Sequence, residues 1–294
     1  MSRYVAIDLN QLPFPDIIGP LAYENILAQL KADVIALAPS LAPALAVEGD
    51  PVQAVLQAIA YRALVHEARF NDIARSAFLS TATGADLDNL VAEYGVQRMV
   101  VEPANLDAVP PVPAVMETDA ELRNRAQIAL ESFSTSGPRG AYEYHALSAD
   151  AQVLDAGVTS PAPGQVQVVV LGRSGVPAST VTDAVSNALN AEEVRPLCDT
   201  VIVLPAELVS YDIEAVLTFQ SGPGSEATLL DAAAAVQEYT ERQRKIGATI
   251  HRSALFAALH RPGVEAVNLI SPAADVTTTD LQAPWAGAID ITAA

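Results

Sequence analysis

The sequence predicts an α+β protein: an elongated N-terminal helical region followed by two small α+β domains built on a duplicated unit. Three observations lead there. Apolar residues from Val52 to Ala77 recur at alternating spacings of four and three, the pattern of one long helix with a single seam. Residues 137–171 read as helix, strand, turn and strand. Pro138 suits the first turn of a helix, Ala141 to Ala149 is a short amphipathic helix, and Val153 to Thr159 is a strand. Pro161, Pro163 and Gly164 turn the chain, and the β-branched run Val166–Val170 returns antiparallel. A weaker version recurs near the C-terminus. Thr249, a candidate N-cap, opens a helix to His260; Pro262 and Gly263 break it; Val264 to Ile270 is the strand. Ser271-Pro272-Ala273 then matches Ser160-Pro161-Ala162, and at the same offset Val153 aligns with Val264 and Ala146 with Ala257. Few positions are identical, so the order of elements carries the match and chance is the alternative.

At 294 residues the chain has room for about two domains. Hydrophobic residues make up 51% and charged residues 17%, which excludes a disordered chain. Aromatics are only 5%, so burial relies on many small side chains, which favours helices in close approach. The formal net charge of −19 disfavours nucleic acid as a partner. The densest cations, Arg242, Arg244 and Lys245, read as the C-terminal turn of a helix. The single cysteine, Cys198, forms no intramolecular disulfide or thiolate metal cage and reads as a small buried or half-buried residue. Asp8 interrupts any secretory leader, and no run of about 18 apolar residues exists. The expectation is no membrane insertion.

In order, residues 1–20 read as an extended apolar arm punctuated by Pro13, Pro15, Gly19 and Pro20. It packs on its own domain or on a neighbouring subunit. Residues 21–101 form the helical domain: a helix from Leu21 to Leu37 with Leu27, Leu30, Val34 and Leu37 as its seam, then the long helix. Asp50 caps that helix and Pro51 starts it. Its seam runs through Val52, Leu56, Ile59, Ala63, His66, Phe70, Ile73 and Ala77, over about 40 Å, which suggests that helices of this chain or of neighbouring chains lie along it. A short helix from Asp86 to Tyr94 follows. Residues 102–116, with Pro103, Pro110, Pro111 and Pro113, read as the linker between domains. Residues 117–206 are the first α+β domain, opened by Thr118 with Glu121 at capping-box spacing. It continues past the stretch above with a helix from Pro177 to Asn190 and a strand from Thr200 to Leu204. Residues 207–294 are the second, with a period-two strand from Glu207 to Phe219, a turn at Ser221 to Gly224 and a long helix from Ala227 to Lys245.

The chain carries few residues arranged for chemistry. It holds no nucleophile elbow, no His-Glu-x-x-His and no phosphate-cradling loop. Gly137 to Gly140 with Arg139 has the form of an anion-binding helix start, and more simply of a tight loop entering a helix. His145, Ser148 and Asp150 have the residue types of a hydrolytic triad, but a solvated helix offers no oxyanion hole. His66 reads as a hydrogen-bonded residue in a helix interface rather than a switch or ligand. No catalytic, cofactor-binding or metal residue is assigned.

Several segments together resemble the baseplate J-like family of contractile-tailed phages. They are Tyr61 to Leu64, Arg69 to Asp72, Ala82 to Asp88, Tyr94 to Val96, Pro110 to Pro113, Glu117 to Asp119, Ser136 to Tyr142 with His145 to Ala149, Arg195 to Leu197 and Ser271 to Asp275. The resemblance covers nearly the whole chain in order. It implies a structural wedge protein that joins wedges into a ring around the central hub, without catalytic residues or cofactors. The implied partners are other baseplate wedge proteins, copies of itself, and the central hub or spike. The implied location is the virion tail baseplate, assembled in the host bacterial cytoplasm. The same role in a tail-like bacteriocin or injection system, a tail cell-wall hydrolase and a receptor-binding module are the alternatives. On this reading a Glu at Ile59 or Phe70 buries a charge on the seam.

Overall fold

The computed structural model describes residues 7–13, 17, 19–134, 136–220 and 225–294. These residues divide into two compact units, 7–97 and 98–294. The division falls just ahead of the proline-rich stretch expected to be the linker.

Asp50 and Pro51 begin the longest helix of the first unit as their chemistry requires. The Asp50 carboxylate accepts from Val52 N at 2.8 Å, and Pro51 takes the first helical position, where no N–H is needed. Helix α1 (Tyr23–Leu37) and the short α2 (Ala42–Leu45) precede this helix, α3 (Pro51–Ser76), and α4 (Gly84–Ala92) follows it. Leu27 of α1 and Leu45 of α2 meet Leu56 and Ala60 of α3 in one core cluster.

The buried face of α3 is Gln53, Leu56, Ala60 and Asn71, about a quarter turn away from the expected seam. Of the seam residues only Leu56 is fully buried; Ile59, His66, Phe70, Ile73 and Ala77 are exposed. The packing of Leu56 and Ala60 against Leu27 and Leu45 sets which side faces inward. With its amide nitrogen assigned to face the loop carbonyls, Gln53 donates to Leu45 O (2.9 Å) and Val47 O (3.2 Å). Asn71 donates to Gly19 O at 2.9 Å and accepts from Gly19 N at 3.3 Å. These bonds tie the flanking loops to the helix and give two inward polar side chains their partners. Gly19 therefore ties the end of the N-terminal arm to its own unit. The arm also holds a 3-10 turn, Leu9–Gln11, where an extended path was expected. The rest of that expectation, at residues 1–6, 14–16 and 18, lies outside the described residues, as do Thr135 and the turn at Ser221 to Gly224.

In the second unit the proline-rich stretch is a two-stranded ribbon. Strands β1 (Val100–Glu102) and β2 (Val115–Met116) pair antiparallel, and Asn105 bridges Val112 further out. Helix α5 (Asp119–Ile128) opens with the expected capping box between Thr118 and Glu121, and a 3-10 turn, Ala129–Phe133, extends it. Next come α6 (Arg139–Ala149), β3 (Val153–Thr159), β4 (Gln165–Gly172), α7 (Ser179–Leu189) and β5 (Thr200–Pro205). The last part is β6 (Glu207–Phe219), α8 (Ser225–Arg242), α9 (Arg252–Leu259), β7 (Val264–Ser271) and β8 (Gln282–Ala293).

The two three-stranded sheets have one spatial plan. In the first, β4 is central, antiparallel to β3 and parallel to β5. In the second, β6 is central, antiparallel to β7 and parallel to β8. A helix precedes each antiparallel edge strand, α6 before β3 and α9 before β7, and Val153 and Val264 each open that strand. The chain visits the pieces in different order: the edge pair comes first in one sheet and the central strand first in the other. This is why the sequence match covers the helix and edge strand and stops after Ser271-Pro272-Ala273. Strand β8, which no expectation covered, supplies the parallel neighbour. Its sequence is rich in Ala and carries Pro284 and Gly287, and it is held as a strand by pairing along β6.

Helices cover one face of each sheet. The other face of β4, at Val169 and Leu171, packs with Ala206, Ile246 and Ala283 in a cluster shared by both sheets. Ile246 approaches so closely that a Cβ on Gly157 would lie 3.0 Å from its Cγ2, and Ile246 N donates to Asp155 at 2.7 Å. Arg242 ends α8 as expected, whereas Arg244 lies beyond it with its guanidinium 4.7 Å from the Trp285 ring centroid.

One polar cluster closes the base of the ribbon. Arg125 Nε and Nη2 donate to the two oxygens of Glu117 at 2.7 and 2.6 Å, and both side chains are buried. Glu117 also accepts from Met99 N, while Arg98 donates to Glu117 O (2.7 Å) and to Asp119 (2.6 Å). Removing one member of such a pair strands a buried charge. Arg125→Met is expected to cost about 3–5 kcal/mol in denaturant unfolding, and adding Glu117→Gln to recover part of that loss. Nearby, the Glu121 carboxyl sits below its usual 4.5: burial alone would raise it, but hydrogen bonds from Arg173 and Thr118 outweigh burial. This contribution is complete above the unfolded pKa and is lost as pH falls through the lowered folded value. Glu121→Gln is therefore expected to flatten the acid limb of stability below about pH 4.5, read by unfolding midpoints at successive pH values.

Candidate interaction surface

The proposed triad residues and the Gly137–Gly140 loop are occupied by the scaffold. Ser148 Oγ accepts from Arg125 Nη1 at 3.2 Å, and Asp150 accepts from Gln152 N at 2.8 Å. His145 is half-buried; burial lowers its pKa and outweighs a hydrogen bond to the Ser132 backbone. These three residues serve three different contacts and form no triad. Gly137 adopts φ +67°, where a Cβ would meet Pro196 at 2.7 Å, so the Gly137–Gly140 loop is a packing turn against the Arg195-Pro196-Leu197 segment. Tyr142 O–H donates to Asp199 at 2.8 Å, and burial followed by that carboxylate raises the phenol's pKa. Cys198, expected to be buried or half-buried, is exposed.

A cavity of about 350 Å³ opens beside α6, lined by Arg139, Glu143, Thr159, Ser160, Ile246 and Asp280 among others. Among the described residues, no group of three or more His, Cys, Asp or Glu side chains is placed to hold a metal ion. No described helix is long and apolar enough to cross a membrane.

Other recurring segments also turn out to be scaffold. Thr249 does not cap α9: the helix starts three residues later, and Asp275 caps it from across a loop. Asp275 accepts from Arg252 N at 2.8 Å and contacts His251 Nδ1 at 3.0 Å, and these two bonds lower its pKa. Arg252 in turn donates to Pro272 O at 2.6 Å, fixing the loop that carries Asp275. Ala82 and Leu87 are core residues around α4, and Gly95 has φ +73° beside buried Val96.

What remains unexplained by the scaffold is outward-facing. Val55, Ile59, His66, Phe70 and Ile73 fall within about 40° of one line along α3. All are exposed, Ile59 at 47% and Phe70 at 69%. Arg62 and Arg69 border the same line, while the acidic residues Glu67 and Asp72 point away from it. This stripe of exposed apolar side chains is the candidate interaction surface of the first unit. The sequence pattern had located most of these residues as a seam for helices of this chain or of a neighbour, and their exposure leaves the neighbour. The ribbon is the second such surface, with Leu106, Val109 (98% exposed), Val112, Val115 and Met116 turned to solvent.

Three family models match in succession: the Baseplate J-like N-terminal domain over residues 48–105, the Baseplate J-like central domain over 134–205, and the Baseplate J-like protein C-terminal domain over 211–292. The first spans α3 and the start of the ribbon. Baseplate protein J of Escherichia phage P2 is 43% identical over 286 residues, covering 95% of each chain. A chain in the cryo-EM structure of the anti-feeding prophage (AFP) baseplate, 6-fold symmetrised, aligns with a TM-score of 0.41 at 14% identity. The alignment covers 61% of this chain and 44% of that one, so this chain matches less than half of that chain's length.

The two faces of α3 separate by mutation. Phe70→Glu and Ile59→Glu place a charge in solvent, so each is expected to shift unfolding free energy by no more than about 0.5 kcal/mol. Ala60→Glu, at a position with no exposure, forces a carboxylate into the α1–α3 contact and is expected to cost several kcal/mol. Denaturant unfolding of the three purified variants checks the order.

Proposed function

The chain belongs to the Baseplate J-like family, structural proteins of the phage tail baseplate, and we propose that it acts as a wedge protein joining wedges into a ring around the central hub. Its partners on this reading are other baseplate wedge proteins, copies of itself, and the hub or spike. Assembly takes place in the host bacterial cytoplasm, and the ring changes shape when the tail contracts. The observation that carries the reading is the 43% identity to Baseplate protein J over 95% of both chains. The physical features agree with it. His145, Ser148 and Asp150 make separate scaffold contacts, and an exposed apolar stripe on α3 offers a surface for a partner.

A ring protein needs surfaces that stay soluble before assembly and bury area afterwards. The stripe on α3 meets that need, because His66 and the flanking Arg62 and Arg69 keep it hydrated while the apolar side chains await a partner. Supplying Phe70→Glu in place of the native protein during phage growth is expected to give soluble, folded subunit but tails without baseplates in electron micrographs. Normal baseplates from that variant would remove the stripe from the assembly.

A further inference from the structure

Two surfaces of this chain complement each other. The α3 stripe from Val55 to Ile73 is apolar with a basic border, Arg62 and Arg69, on a chain whose net charge is −19. The ribbon is apolar with an acidic border: its exposed charges are Glu102 and Asp107, and residues 99–116 contain no Lys or Arg. The stripe is about 27 Å long at helical rise, and the paired arm of the ribbon, from Val100 to Asn105, is about 17 Å at strand rise, so the stripe is long enough to receive it.

The ribbon has an unusual balance of features for a surface excursion. Leu106, Val109, Val112, Val115 and Met116 are all exposed, while its base is clamped by Arg125, Glu117 and Arg98. A rigid base under an apolar projection suits insertion into a partner. Pro103, Pro110, Pro111 and Pro113 lack N–H donors, so the ribbon is poorly suited to growing a sheet by edge pairing. Its contact must then be made by side chains, and a helix face with apolar side chains one turn apart is a surface that can receive them.

We propose that the ribbon of one copy docks on the α3 stripe of a second copy. Val109 and Leu106 seat among Ile59, Phe70 and Ile73, and Glu102 and Asp107 face Arg62 and Arg69. The contact is heterologous: each copy offers its ribbon to one neighbour and its stripe to another, an arrangement that closes into a ring when the rotation per copy allows. This deepens the proposed function by naming the occupant of the stripe, and rests on that reading.

The test uses the full chain in a Cys198→Ser background, which removes the only cysteine. Phe70→Cys goes into one preparation and Val109→Cys into a second carrying a size tag. Under mild oxidation the mixture is expected to form a disulfide between the two variants about tenfold faster than either variant forms its own dimer. Adding Arg62→Glu with Arg69→Glu to the first variant is expected to slow that cross-link about fivefold or more, and Glu102→Lys with Asp107→Lys in the second to restore it. Equal rates for mixed and like pairs would overturn the proposal. So would a chain carrying both cysteines that closes on itself as a monomer. If no mixed disulfide forms while Phe70→Glu still abolishes baseplates, the stripe receives another baseplate protein: the ribbon contact falls and the proposed function stands.

Discussion

The buried pairing of Arg125 with Glu117 is the constraint on which the second unit is built. Glu117 ends the ribbon, Arg125 lies one helical turn and a half into α5, and Ser148 on α6 takes a further N–H of the same guanidinium. One planar cation therefore orients the ribbon base, α5 and α6 at once. A lysine in its place could not make the two parallel bonds to the carboxylate. Because the base is held internally, the rest of the ribbon needs no support from the core and can stay exposed. The capping box and the Arg173 contact on Glu121 secure the start of the same helix.

The first unit solves a related problem with neutral groups. Gln53 and Asn71 turn inward and hydrogen-bond the loop backbone at Leu45, Val47 and Gly19, tying those loops to α3. Ala60, at the centre of that face, presents little bulk to its neighbours in the cluster around Leu27. The larger apolar residues are displaced to the outer side. An amphipathic helix thus presents an apolar stripe to solvent.

Much of the architecture was legible in the sequence because local chemistry decides it. The Asp50-Pro51 start, the Thr118–Glu121 box, the bounds of β3 and the period-two run of β6 all follow from residue type and spacing. The recurrence of helix and edge strand between α6–β3 and α9–β7 was also visible. Less was legible where distant parts of the chain decide. The cap of α9 comes from Asp275, 23 residues away from Arg252, and no local pattern announces it. Strand β8 has little intrinsic strand character and depends on β6. The prolines of residues 102–116 describe a linker and a ribbon equally well until the Asn105–Val112 bridge closes it. For the candidate surface, periodicity identified the stripe, and the packing of Leu56 and Ala60 against Leu27 and Leu45 reveals which way it faces.

The central claim is that the outer side of α3 is free in the isolated subunit and covered in the assembled baseplate. Hydroxyl-radical footprinting of the same protein in both states tests it most directly, since it reads side-chain exposure residue by residue. Phe70 and Ile73 are expected to be modified readily in the free subunit and to become protected in purified tails, while buried Leu87 and Leu122 stay unreactive in both. Equal modification of Phe70 and Ile73 in the two states would contradict the account.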